Sequence, residues 1–457
     1  MTARFDAIII GAGQAGPALA GRLTSAGMTV ALVERHLFGG TCVNTGCTPT
    51  KAMVASAYAA HLARRAADYG VRLPDGVSVD FAAVMARKDA ISGKSRDGVE
   101  SWLRGMERCS VYQGHARFAS PREVSVGDES LTADRIFLNV GGRALAPDML
   151  GLSDIRYLTN SSILRLQNLP RRLVVIGGSY IGLEFAQMFR RFGSEVTVIE
   201  KGARLASRED EDVSDAIGEI LEREGVEIRT GAECIRFEPR GEEIAVGLDC
   251  AAGAPEIVGD EVLLAIGRRP NTDDLDVEKA GVELDGRGYV KVDDELRTTA
   301  PNIWALGDCN GRGAFTHTAY NDFEIVAANL LDGASRRVSD RIPAYALYTD
   351  PPLGRVGLTE AAARAAGYKV RVGVRPMTRV ARAVEKGETA GFMKIVVDAE
   401  RQEILGAAIL GVGGDEAIHG ILDVMNLGAP YPELEKAVPI HPTVSELIPT
   451  VLQEALP

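Results

Sequence analysis

At 457 residues the chain is too long for one hydrophobic core of ordinary size, so roughly two to four domains are expected. A formal charge of −12 argues against nucleic acid or an anionic membrane as partner, and hydrophobic and charged fractions of 46% and 25% fit a globular protein. Six cysteines are too few for a disulfide scaffold, no run of about 18 apolar residues occurs, and Met1 to Asp6 carries no secretory signal, which together predict a cytoplasmic location.

From Phe5 the sequence reads FDAIIIGAGQAG, an apolar strand that runs into Gly11, Gly13 and Gly16. A helical stretch, ALAGRLTSAG, and a second strand, TVALVE, follow, and Glu34 closes that strand. Glycines at this spacing permit a tight turn and a close approach of backbone to pyrophosphate at a helix N-terminus, while the acid accepts hydrogen bonds from ribose hydroxyls. The pattern returns at LVVIGGSYIGLEFAQMFRRFGSEVTVIE, where Gly177 precedes Glu200 by the same 23 residues that separate Gly11 from Glu34. Two dinucleotide sites are implied. The second copy has Ser179 in place of the middle glycine and Gly182 as its last, so phosphate approaches the backbone less freely there and the serine hydroxyl is available to bond it.

Between the two copies lies GGTCVNTGCTPTK, with Cys42 and Cys47 five positions apart. Five residues of regular helix turn by about 500 degrees, so the two side chains meet only if one stands in an irregular lead-in. Gly39, Gly40 and Gly46 supply that freedom, Pro49 suits a first helical turn, and Cys47 is expected at the start of the helix KAMVASAYAAHLARRAADYG. The positive end of that helix, reinforced by Lys51, favours thiolate. A zinc or iron–sulfur half-site and two inert thiols are the alternative readings; Cys109, Cys234, Cys250 and Cys309 are scattered singly, with no second close pair to complete a metal site.

Further on, TTAPNIWALGDCNG brings a strand to an end at Gly307 and Asp308, where an acid can hold a polyol; taken alone, Asp308 reads more readily as a turn residue. Beyond residue 340, GFMKIVVD and EILGAAIL read as alternating strands and DEAIHGILDVMNLG as helix. His441 in HPTVSE is the one histidine with a carboxylate, Glu446, at a recognisable spacing, and histidine suits proton donation to a leaving thiolate near neutral pH; without the surrounding motif, an exposed side chain of no special role is the plainer reading. His36, His61, His115, His317 and His419 receive no role.

Nine ordered segments, from GAGQAG through GGTCVNTGCTPTK, GHARF, VGGRALAP, GGSYIGLE, AIGRRPN, NIWALGD and PPLGRVGLTE to IHPTVSE, make the chain resemble the class I pyridine nucleotide-disulfide oxidoreductases over essentially its whole length. The family includes glutathione reductase, dihydrolipoamide dehydrogenase and mercuric reductase. The resemblance implies an α/β fold of two Rossmann-like dinucleotide-binding domains, one inserted in the other, plus a C-terminal α+β dimerisation domain. The implied boundaries are 1–149 with 269–339 for FAD, 150–268 for NAD(P)H, and 340–457 for a homodimer interface across which the sites are completed.

By the same resemblance FAD lies on the first glycine turn, with Glu34 at its adenosine ribose, Ala116 near the adenine and Asp308 near the ribityl chain. Gly40, Thr41, Gly141 and Gly267, in matching motifs, join the cofactor contacts. NAD(P)H lies on the second turn, at Gly177, Ser179, Gly182 and Glu200. Cys42 and Cys47 become a redox disulfide, with Cys47 facing the flavin and Cys42 exchanging with substrate. His441 and Glu446 reach across the dimer to that disulfide, Lys51 and Glu184 form an ion pair beside the flavin N5, and Tyr180 covers the flavin until nicotinamide displaces it.

The implied activity is an FAD-dependent oxidoreductase acting on sulfur groups with NAD(P), with a small disulfide as acceptor and no resident metal. Glu200 accepts from a ribose diol and repels a 2′-phosphate, which favours NADH, while Lys201 and Arg204 nearby leave NADPH open. The stretches around PPLGRVGLTE and VARAVEKGETAGFMK resemble mercuric reductase-like proteins and a flavoprotein of reactive-chlorine resistance, so a metal-ion (Hg or Cu) or oxidant-defence reductase is the alternative. The terminal HPTVSELIPTVLQEALP lacks the cysteine pair of mercuric reductases, which argues against efficient Hg(II) handling. A dihydrolipoamide dehydrogenase-like subunit and a flavin-bearing redox sensor are the other readings.

Overall fold

The apolar run at the N-terminus forms strand β1 (Thr2–Ile10), buried over its last four residues, and turns at Gly11 into helix α1 (Ala15–Ser25) and the fully buried strand β2 (Val30–Glu34). The computed structural model describes residues 2–74, 76–249 and 254–455, so Cys250 lies outside the described residues. Three helices follow: α2 (Gly40–Thr45), α3 (Cys47–Arg64) and α4 (Phe81–Arg104). Strands β3 (Cys109–Gln113), β4 (Ala116–Ser120), β5 (Glu123–Val126) and β6 (Glu129–Leu138) complete a sheet of order β3-β2-β1-β6-β5-β4. Its centre is parallel and nearly continuous in Ile, Val and Leu, as strands covered on both faces require.

After β7 (Gly142–Ala144) the chain builds a second parallel sheet. Strand β8 (Arg172–Ile176), helix α5 (Tyr180–Phe192), strand β9 (Glu195–Ile199), helix α6 (Glu211–Arg223) and strand β10 (Val226–Arg229) come in succession. An antiparallel excursion, β11 (Glu233–Arg240), β12 (Glu243–Asp249) and β13 (Glu256–Gly259), leads to β14 (Glu261–Leu264), which pairs with β8. Strand β15 (Arg268–Pro270) then returns antiparallel to β7, and β16 (Ile303–Ala305) joins the first sheet beside β6, with Ala305 opposite Leu138. That register carries Gly307 and Asp308 to the edge where β1 and β6 end, although well over a hundred residues separate them from either strand in sequence.

Helix α7 (Thr316–Leu331) leads to a five-stranded antiparallel sheet of order β17-β18-β21-β20-β19, made of β17 (Ala344–Leu347), β18 (Leu353–Gly357), β19 (Val370–Pro376), β20 (Phe392–Asp398) and β21 (Glu403–Leu410). The alternation expected in GFMKIVVD and EILGAAIL does not appear as one wet and one dry face, because β20 and β21 are interior strands buried on both sides. Ile395 and Val397 pack with Val451 and Leu452 of the last helix, whereas Val396 packs on the other side with Ala363. The stretch expected as one helix breaks at Ile418 into Gly414–Ala417 and His419–Asn426. No helix among the described residues is long and apolar enough to cross a membrane.

Candidate active site

The two glycine turns are built alike. Gly11 and Gly177 take φ of 108° and 110°, and a Cβ on either would stand 2.2 Å from Asn139 O or 2.5 Å from Ala265 O, so only glycine fits. A Cβ on Gly16 or Gly182 would meet the carbonyl of Gly11 or Gly177 at 2.3 or 2.1 Å, which ties α1 and α5 closely to the strands before them. In the first copy Glu34 Oε2 accepts from the Ala12 N–H at 2.9 Å; in the second, Glu200 Oε2 accepts from the Gly178 N–H at 2.6 Å. Each acid thus orients its turn from within, and its second oxygen takes a further backbone N–H, from His36 or Gly202.

Both turns open on one continuous cavity of about 2350 Å3, larger than the roughly 300–1,000 Å3 of an ordinary small-molecule pocket. Of the residues given a catalytic or cofactor-contacting role from the sequence, all line it except Gly16, Gly182, His441 and Glu446. The residues present fit FAD on the first turn. A Cβ at Gly40 would lie 2.7 Å from Gly13 Cα, so the loop leading to Cys42 is pressed against the glycine turn with bare backbone. Ala116 is buried in the wall, and burial raises the Asp308 carboxyl above the usual carboxylate range even though the Arg268 guanidinium stands 3.4 Å away.

Cys42 and Cys47 come together in this cavity. Cys42 stands in the short helix α2, not in an irregular lead-in, and the break falls at Gly46, where a Cβ would lie 2.9 Å from Thr41 O. Breaking the helix between the two cysteines cancels the angular offset that would part them in regular helix. Cys47 is the first residue of α3, and its Sγ lies 3.3 Å from Oγ1 of Thr316, the first residue of α7. The hydrogen bond shared with Cys42, against the opposing effect of burial, and then Thr316 and the Lys51 charge, hold Cys47 down to about 6. The same hydrogen bond, together with burial, pushes Cys42 up. Negative charge therefore resides on Cys47 and the proton on Cys42.

Lys51 Nζ and Glu184 Oε2 are 2.8 Å apart, and Glu184 is buried in α5, with its side chain only 7% exposed. Tyr180, at the start of α5, donates its hydroxyl to Glu209 Oε1 at 2.7 Å; burial, then the Glu209 charge, raises its phenol above the ordinary tyrosine value. Ser179 precedes it in extended backbone and makes no cap hydrogen bond with its side chain.

His441 Nδ1 and Glu446 Oε2 lie 2.8 Å apart, yet the His441 side chain is 75% exposed and away from the cavity that holds the cysteines. Val438 and Ile440 beside it are likewise exposed. Among the described residues no three His, Cys, Asp or Glu side chains gather as a metal site.

Several neighbours of the cysteines and of the two turns escaped sequence reasoning. Asn139 donates its side-chain amide to Gly11 O at 3.1 Å, Thr316 touches Cys47, and the Tyr348 ring lies 4.5 Å under Lys51 Nζ. Thr316 and Tyr348 follow no local pattern. Asn139 carried a usable signal, since it ends the apolar strand IFLN just before VGGRALAP.

The family described as pyridine nucleotide-disulphide oxidoreductase matches residues 5–322, and its dimerisation domain matches residues 343–452. The chain is 36% identical over 452 residues to the probable pyridine nucleotide-disulfide oxidoreductase RclA of Escherichia coli K12, covering 97% of each protein. It is 34% identical over 444 residues to a dihydrolipoyl dehydrogenase of Thermus scotoductus, covering 97% of this chain and 95% of that one. A solved Cu(II) complex of the HOCl-induced flavoprotein disulfide reductase RclA from Escherichia coli superposes with a TM-score of 0.89 at 34% identity, over 99% of both chains. A cysteine pair on one cavity with two dinucleotide turns, and full-length similarity to flavoprotein disulfide reductases, lead to one conclusion: the chain belongs to the pyridine nucleotide-disulphide oxidoreductase family and is an FAD-dependent NAD(P)H:disulfide oxidoreductase.

Proposed function

We propose that this protein takes electrons from NADH and delivers them through a Cys42–Cys47 disulfide to a small disulfide acceptor. The observation that carries the reading is the hydrogen-bonded Cys42 and Cys47 on the wall of the cavity that both glycine turns share, with negative charge on Cys47. FAD, held by Gly11, Gly13, Gly40, Thr41, Glu34, Ala116, Gly141, Gly267 and Asp308, supplies the conversion of a nicotinamide hydride into the electron pair that opens the cysteine disulfide. Lys51 and Glu184 place a fixed, buried charge pair on the same wall, and Gly177, Ser179, Gly182 and Glu200 hold the nicotinamide coenzyme.

In the reduced pair Cys42 carries the proton, so it needs a base before it attacks. His441 of the partner subunit, oriented by its Glu446, takes that proton. The Cys42 thiolate then forms a mixed disulfide with the acceptor, and the first acceptor sulfur leaves as a thiolate that the histidine protonates. Cys47 attacks Cys42, expels the second acceptor sulfur as a thiolate that takes a proton from solvent, and restores the Cys42–Cys47 bond. One hydride and one proton are consumed for each disulfide converted into two thiols. Exposed Val438 and Ile440 beside His441 support a homodimer that covers this region. On this reading 1–149 and 269–339 form the flavin domain, 150–268 the nicotinamide domain and 340–457 the dimerisation domain, in a cytoplasmic enzyme.

The test is NADH consumption by the FAD-loaded protein against small disulfides, dihydrolipoamide in reverse, Cu(II), Hg(II) and quinones, repeated with Cys42→Ser. We expect the variant to keep reduction of its flavin by NADH and to lose disulfide turnover. Disulfide reduction by Cys42→Ser at the normal rate overturns the exchange role. The Cu(II) complex of the similar RclA favours a second reading, a metal-ion or oxidant-defence reductase, which the Cu(II) arm of the same panel separates.

A further inference from the structure

Glu209 stands in the loop between β9 and α6, with its side chain fully buried. Its Oε1 accepts hydrogen bonds from two phenols, Tyr180 at 2.7 Å and Tyr345 at 2.8 Å. Its Oε2 accepts none and faces Arg355 Nε at 3.5 Å, too long and too poorly aligned to count as a hydrogen bond. Arg355 is 1% exposed, its three guanidinium nitrogens have no hydrogen-bond partner, and its other carboxylate contact is Asp210 at 3.9 Å. A buried carboxylate is costly unless donors satisfy it; beside the Arg355 charge, the two phenols supply the side-chain hydrogen bonds this one accepts.

Those phenols come from different parts of the fold. Tyr180 begins α5, next to the second glycine turn, whereas Tyr345 belongs to β17 of the antiparallel sheet. Their rings tilt against each other at 5.3 Å, and Tyr345 stacks at 5.6 Å on Phe315, the residue before Thr316. For the Tyr180 ring to move aside, it must give up Glu209. Tyr345 stays behind, so the carboxylate keeps one donor and is not stranded.

We propose that Glu209 is the latch of the Tyr180 gate and that Tyr345, sharing the same carboxylate oxygen, sets how firmly the latch holds. Both are positioning residues for entry of the pyridine nucleotide, and the proposal rests on the reading that Tyr180 covers the flavin. Two donors on one oxygen compete, and each bond is weaker than it would be alone. Removing the Tyr180 hydroxyl frees the ring and raises the open fraction, so coenzyme binds more tightly, because apparent affinity scales with the competent fraction. Removing the Tyr345 hydroxyl acts the other way: Tyr180 becomes the sole donor to a buried charge, and the closed state gains.

The experiment measures the dissociation constant of NAD+ for the oxidised, FAD-loaded protein by calorimetry, with KM for NADH alongside. Tyr180→Phe is expected to tighten NAD+ about tenfold and Tyr345→Phe to weaken it about threefold, the span of one hydrogen bond to a charged group. In the double variant the Tyr345→Phe effect disappears, since no latch remains for it to tune. A merely structural role for Tyr345 gives neither opposite signs nor this loss of effect. Collisional quenching of flavin fluorescence by iodide in Tyr180→Ala tests the underlying reading. Unchanged quenching overturns the gate, and the latch with it. Increased quenching, with NAD+ binding of Tyr180→Phe and Tyr345→Phe equal to wild type, overturns the latch alone.

Discussion

Lys51 Nζ lies 2.8 Å from Glu184 Oε2, while the backbone N–H of Tyr348 donates to Glu184 Oε1 at 3.0 Å. The Tyr348 ring faces the same ammonium, so three elements distant in sequence, α3, α5 and the end of β17, meet at one charge pair. Lys51→Met leaves the Glu184 carboxylate buried with one backbone donor. We expect a loss of about 2 kcal/mol, below the roughly 3–5 kcal/mol of a fully buried pair because Lys51 is itself a third exposed, read as a lower Tm. Stopped-flow reduction of the bound flavin by NADH should slow at least tenfold; an unchanged rate would remove the pair from the hydride step.

Thr316 supplies a hydrogen-bond partner to Cys47 from the first residue of α7. As pH rises through about 6, Cys47 passes from thiol to thiolate while Cys42 stays protonated. The ultraviolet absorbance of thiolate in the reduced protein should therefore titrate near pH 6 and vanish in Cys47→Ser. In Thr316→Val the midpoint should rise by somewhat less than one pH unit, the equivalent of about 1 kcal/mol by which a hydrogen bond to the thiolate exceeds one to the thiol. A midpoint that stays put in Thr316→Val leaves stabilisation of the Cys47 thiolate to Cys42 and Lys51 alone.

His441 is held by Glu446 and exposed on the single chain. His441→Ala is predicted to lower disulfide turnover by about 100-fold, the usual worth of a positioned acid–base group, with flavin reduction by NADH preserved. Equal turnover by the variant and the wild type removes histidine as the proton carrier.

Both oxygens of Glu200 are taken by backbone N–H groups at 2.6 Å, from Gly178 and Gly202, which keeps the carboxylate at the rim of the second turn. Lys201 and Arg208 line the same cavity. Glu200→Ala removes the negative charge that opposes a 2′-phosphate and leaves those cations. The ratio of kcat/KM for NADH over NADPH should fall about tenfold or more; a ratio that rises shows that coenzyme choice is made elsewhere.

Much of the architecture is legible because it is local. A strand, three glycines, a helix and an acid fall within one stretch of about 30 residues, and the copy at Gly177 repeats it, so the α/β fold and both turns follow from pattern and offset. The proximity of Cys42 and Cys47 is also local, though the sequence suggested an irregular lead-in where the chain makes a second short helix broken at Gly46. Burial of both faces of β20 and β21 was not legible, because alternation says which residues can face a core and nothing about how many layers cover the sheet.

The sequence by itself determined the two dinucleotide turns, the cysteine pair and the acids that close each unit, since backbone sterics and short-range spacing leave few other uses for those residues. Only the tertiary structure decided which side chains tune them. Thr316 reaches Cys47, Tyr348 reaches Lys51 and Glu184, and Tyr345 shares Glu209 with Tyr180 because β16 docks beside β6 and β17 folds back over α5. Such contacts join residues more than a hundred positions apart, and no periodicity along the chain encodes them; they exist only once packed sheets have set the distances.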